Sequence, residues 1–149
     1  MNSVSEITHL INQYGFTIDT GDVDGFAALF EHAEWVVEGA VPNHGKEDML
    51  NNVVANVRLY EDGTPKTKHV VSNVELNIEE VSGTATAQSY VTLFQQTDTF
   101  ALQAIFCGHY FDEFERVSGD WRFKKRVIRH VLVGDLSAHL ISQGDVVPE

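Results

Sequence analysis

The sequence has a single cysteine, Cys107, and only three prolines. One thiol cannot form an intrachain disulfide, and the fold must therefore rest on a packed core. The same scarcity points to a reducing, cytoplasmic compartment. Long hydrophobic runs are missing as well: none approaches the roughly 18 residues that span a bilayer. The opening MNSVSEITHL has neither a basic start nor an unbroken apolar stretch, so no signal peptide is expected. Positive charge is scarce. Ten Lys and Arg against 22 Asp and Glu give a net charge of −12, which repels nucleic acid and anionic membranes and argues against both as partners. Six of the ten basic residues fall between Arg116 and Arg129, a stretch read as a solvated strand face.

What is present suits one globular domain. At 149 residues, 43% hydrophobic, the chain can bury a sizeable core. In 4–18, Val4, Ile7, Leu10, Ile11, Tyr14 and Ile18 repeat at amphipathic-helix spacing, with Ser3 and Glu6 placed as a capping box and Gly21 as a stop. Asp22 suits the N-cap of a short second helix that turns Phe26, Leu29 and Phe30 inward. Residues 34–38 read as a strand and 46–59 as a third helix. From Lys66 the period changes to two, with strands expected over 67–79, 84–96, 100–116 and 121–133, joined by hairpin-length turns. Helices first and a meander afterwards give an α+β class, with a core over 4–133 and a tail over 134–149. Strand 100–116 is apolar on both faces. The helices cover one, so the other calls for a partner copy in a homo-dimer or homo-trimer.

For chemistry, the seven histidines form no metal-type pairs, and neither a Gly-rich phosphate loop nor a nucleophile elbow is present. Acid–base chemistry by side chains remains, with no cofactor required. Asp19 ends the first helix, where the macrodipole disfavours a carboxylate by up to about 1 kcal/mol; the alternative is a solvated turn residue. His69 opens the strand KTKHVVSNVELNI. Strict alternation puts it on that strand's polar face, and a bulge near Ser72-Asn73 would return it to the apolar side. His109 shares a face with Ile105, Cys107 and Phe111 and reads as buried, in core, interface or site. Tyr14 and Trp35 are either core aromatics or site residues. Arg126 lies on a face with Ile128 and Leu132, where a buried guanidinium needs an anion.

Through Tyr14–Asp22 (YGFTIDTGD), the chain resembles SnoaL-like proteins of the nuclear-transport-factor-2-like superfamily. AEWVVEG at 33–39, NNV at 51–53 and DEFERVSGDWRFKKR at 112–126 resemble hexachlorocyclohexane dehydrochlorinase. The resemblance covers about residues 4–133. It implies a cone-shaped, curved antiparallel or mixed sheet, a cystatin-like α+β barrel, enclosing an apolar pocket with three helices. It also implies a dyad of Asp19 and His69, a supporting Arg126 and a pocket Trp35. Tyr14 matches the active-site tyrosine of bile acid 7α-dehydratase, and His109 resembles the second histidine of scytalone dehydratase. The function so implied is a cofactor-independent β-elimination on a small, largely apolar cyclic substrate. Non-catalytic ligand binding, an assembly subunit, or isomerase or cyclase chemistry are the alternatives.

Overall fold

The computed structural model describes residues 2–141. Helix α1 (Ser3–Asp19) is followed by the short α2 (Val23–Ala28), strands β1 (Glu34–Val37) and β2 (Asn43–His44), and helix α3 (Gly45–Asn56). Four long strands follow: β3 (Thr67–Glu79), β4 (Thr84–Gln95), β5 (Gln103–Val117) and β6 (Asp120–Val133). The order of helices and strands is the expected one except for β2, where the sequence predicts no strand, and the other differences are local. The cap of α1 is Asn2, whose side chain accepts from the Ser5 N–H at 2.9 Å, so no capping box forms. Ser3 Oγ donates instead to Glu80. Gly21 has φ 83°, the left-handed value that stops α1, and Asp22 caps α2 through the Gly25 N–H.

The six strands run in the order β2-β1-β6-β5-β4-β3, antiparallel except where β1 lies parallel to β6. That order leaves β2 and β3 as separate edges, so the sheet is open. The expected cone, a closed α+β barrel, is not formed. Two and four residues in β2 and β1 are too short to return to β3, and helices rather than strand pairing cover the inner face.

The core lies between that face and the helices. Ile7, Ile11 and Ile18 of α1, Phe26 of α2, and Met49 and Val53 of α3 pack against Val91, Phe114 and Phe123. Each such side chain contributes roughly 1.5–3 kcal/mol on leaving water. A smaller cluster joins Leu93 and Ile105 to Leu136 and Leu140. Residues 134–141, expected as a tail, therefore fold back: Leu140 bridges to Val57, and the Ile141 N–H donates to the Asn56 carbonyl. The part of that tail beyond 141 lies outside the described residues. No helix is long and apolar enough to cross a membrane among the described residues.

One irregularity decides which way β3 faces. Ser72 pairs with Tyr90 and Glu75 with Gln88, so three steps on β3 span two on β4. Asn73, at φ 56°, takes the left-handed conformation that asparagine tolerates better than most residues. The extra residue puts His69 and Val71 on the same side as Leu76 and Ile78.

Candidate active site

Asp19 is the last residue of α1 and is 8% exposed. Its Oδ1 accepts from the Thr67 hydroxyl at 2.7 Å and lies 2.7 Å from His69 Nδ1, while Oδ2 accepts from the His69 backbone N–H at 2.7 Å. Thr67 and His69 are two apart on β3, so both reach toward the helix end. Burial pushes the Asp19 carboxyl up. The bond from the His69 ring, that ring's charge, the His69 N–H and the Thr67 hydroxyl together outweigh it and hold the group below the ordinary carboxylate value. An ionised Asp19 accepts, so Nδ1 carries the proton and the Nε2 lone pair is left free.

Such an approach needs room between α1 and β3, and Gly15 provides it. A Cβ there would stand 3.1 Å from His69 Cβ and 3.9 Å from Asp19 Oδ2. Gly15 and Asp19 are one helical turn apart on the same face.

Beside the pair is an aromatic wall. The Tyr14 ring meets the His69 ring edge-on, with centroids 5.8 Å apart. Trp35 Nε1 donates to Tyr14 Oη at 3.0 Å, leaving the Tyr14 O–H free to donate elsewhere. Burial raises the Tyr14 pKa despite the Arg126 charge and these donors, so the phenol stays protonated. Arg126 is fully buried, with its guanidinium 4.3 Å from the centre of the Tyr14 ring and 3.7 Å from that of Tyr110. The anion it needs is Asp112, gripped through Nε at 2.8 Å and Nη2 at 2.9 Å. Asp112 faces Arg126 directly across β5 and β6. Arg126 is not among the residues that line the cavity; its guanidinium lies against the faces of the two tyrosines instead.

His109 is not in the pocket. It stacks on Phe111 at 4.2 Å and lies 3.0 Å from Gln88 Oε1, on the outer face with Tyr90 and His130. Alternation is the reason: Phe106 and Tyr110 line the cavity, so the odd-numbered neighbour between Gly108 and Tyr110 points away.

The cavity, about 130 Å³, is lined by Tyr14, Trp35 and His69 together with apolar side chains from all three helices and the inner sheet. An apolar cavity of about 150 Å³ holds benzene, so this one fits a single ring. Three of its polar members escaped the sequence reading: Asn52 and Asn56 of α3, hydrogen-bonded to each other at 2.7 Å, and His139. His139 Nδ1 is enclosed with no hydrogen-bond partner among the described residues. Burial first, then the neighbouring His69, push its pKa down to about 4 against the pull of Asp19, so the ring is neutral at ordinary pH. Its signal was Leu136-x-x-His139-Leu140, the spacing of a helical turn that buries one side.

Known structures share this architecture. A Mycobacterium tuberculosis protein of unknown function superposes with TM-score 0.70 at 22% identity, covering 85% of this chain and 70% of the other. A putative scytalone dehydratase from Novosphingobium aromaticivorans gives 0.67 at 23% identity over 91% and 90%. The protein LinA gives 0.65 at 24% over 88% and 88%. At these identities the likeness is one of fold. No curated protein matches the chain. The family model described as the SnoaL-like domain matches residues 1–127, and the chain belongs to that family.

Proposed function

We propose that this protein is a lyase of the dehydratase type, acting by side-chain acid–base chemistry on a small, largely apolar cyclic substrate. The observation that carries the reading is the 2.7 Å contact between Asp19 Oδ1 and His69 Nδ1 at the wall of an apolar cavity. His69 Nε2 takes a proton from a ring carbon. The C–H electron pair becomes the new C=C bond, and the neighbouring C–O bond breaks with its electrons going to oxygen. Tyr14 protonates that oxygen, and water leaves. The proton on His69 then returns through solvent to the Tyr14 phenolate. Asp19 holds the imidazole in the required tautomer and offsets the charge it gains, as positioned acid–base groups do for about 10²–10⁴ in rate. Trp35 orients the phenol, and Arg126 steadies the negative charge that the phenol passes through.

Dehydration of β-hydroxycyclohexanone, followed by enone absorbance, tests the reading. Turnover by the wild type that disappears in both Asp19→Ala and His69→Ala, each with a native circular dichroism spectrum, is the expected result. Retained activity in either variant would refute it.

The outer face supports assembly into a homo-dimer or homo-trimer. Val70, Tyr90 and Leu132 there are 46%, 50% and 71% exposed, and no element of the described chain covers them. Sedimentation equilibrium is expected to give a dimer or trimer that Tyr90→Glu converts to monomer; a monomeric wild type would end this part of the proposal.

A further inference from the structure

His139 has no assigned part in the chemistry above, yet its ring lines the same cavity as His69. The turn that carries it is firmly held. The His139 carbonyl accepts from the Arg58 N–H at 2.8 Å, Gln95 Nε2 donates to the Ala138 carbonyl at 3.0 Å, and Leu136 and Leu140 are buried on either side. A histidine in such a place needs a reason, because burying a polar group without a partner is costly. The enclosed nitrogen, Nδ1, tolerates being a bare lone pair better than being an N–H with nothing to accept it. That preference places the ring proton on Nε2, the nitrogen that is not enclosed, on a ring that lines the cavity.

We propose that His139 is a ligand-recognition residue that donates from Nε2 to the carbonyl oxygen of a one-ring ketone. The oxygen class follows from the donor. A neutral imidazole holding its proton at Nε2 offers one hydrogen bond and asks for an acceptor. The ring size follows from the cavity, and the apolar body from walls such as Ile18, Val91, Leu93 and Phe106. In a small cavity, a donor on one side of the ligand and the free Nε2 of His69 on another suit a ketone. Its carbon next to the carbonyl presents the C–H to His69 while its oxygen meets His139. Removing that proton shifts negative charge onto the oxygen, where the His139 hydrogen bond strengthens. This assignment of role in catalysis rests on the elimination reading above; the recognition of the oxygen does not.

The test separates the two. Affinities of cyclohexanone and of methylenecyclohexane, its near-isostere without a hydrogen-bond acceptor, are measured by ligand-observed NMR on the wild type and on three variants. The wild type is expected to prefer the ketone by about tenfold, the worth of one well-buried hydrogen bond. His139→Phe should bind both within about twofold of each other, with binding of the alkene retained as proof of an intact cavity. His139→Gln, which keeps a donor, should recover part of the preference, an outcome that a purely structural histidine would not produce. Asp19→Asn should keep the preference. A wild type without preference, a His139→Phe variant that retains it, or failure of either compound to bind would each overturn the proposal. Exchange of the ketone's α-protons for deuterium is read in the same tubes. If that exchange is absent from the wild type while the preference stands, the proton-abstraction reading fails and the recognition role survives.

Discussion

Two carboxylates on the inner side of this protein each hold a nitrogen base, and they do so in opposite styles. The side chains of Asp112 and Arg126 are both 0% exposed and joined by two parallel hydrogen bonds, off the cavity wall. The side chains of Asp19 and His69 are 7% and 12% exposed, joined by one side-chain bond, with the imidazole at the cavity wall. The guanidinium keeps its proton at any pH the protein meets, so the first pair is a fixed charge arrangement. The imidazole can give and take one, so the second is labile by design of its residue type. Depth and partner chemistry, rather than the presence of a buried ion pair, separate a fixed charge pair from one that can exchange a proton. Tyr14 joins them, with Arg126 over its face and His69 at its edge.

Breaking each pair should therefore do different damage. The largest effect is expected from His69→Ala, a fall of about 10²–10⁴ in turnover with the thermal midpoint nearly unchanged. Asp112→Ala should do the reverse, costing about 3–5 kcal/mol in urea unfolding because it strands a buried guanidinium. Combining Asp112→Leu with Arg126→Met should cost less than either single change, since the uncompensated charge is gone. A smaller effect concerns pH. His139 titrates at about 4 in the fold against 6.5 for the free side chain. Between those values the unfolded chain binds the extra proton, so stability is complete above 6.5 and falls as pH drops toward 4. The loss is a few kcal/mol at most. His139→Gln should flatten that slope. Asp19, held below 3.8, acts lower: its contribution is present above the ordinary value and disappears only as pH falls through the depressed one. The smallest effect is expected from Gly15→Ala. Helix propensity gains up to about 1 kcal/mol, but the new methyl presses on His69 Cβ at 3.1 Å. Turnover should drop about tenfold through a displaced imidazole while stability holds.

Periodicity made the long helices and strands legible, because a 3.6 or 2.0 repeat records which side is buried. It could not give the course of β1 and β2. Their antiparallel and parallel pairings depend on neighbours 8 to 10 and 91 residues away respectively, and with them went the closure of the sheet. The pairing of Asp19 with His69 was reachable through resemblance and not through local pattern, since alternation alone faced His69 outward. His109 misled because strand 100–116 is apolar on both sides, and apolar neighbours do not say which side is the pocket. Arg126 declared its need for an anion without naming Asp112, which sits 14 residues away across a hairpin. His139 lay beyond the last strand, where a helical turn of two leucines was too short to stand out.

The orientation of His69 depends on a count rather than on an identity. With Asn73 present, 69 and 76 lie on one side, although they are seven positions apart and strict alternation would set them on opposite sides. Many side chains could fill position 73 at a modest conformational penalty. Losing the residue altogether would put the two halves of β3 out of step, so that either the imidazole or Leu76 and Ile78 would turn to water. A strand of this kind tolerates misspelling far better than omission.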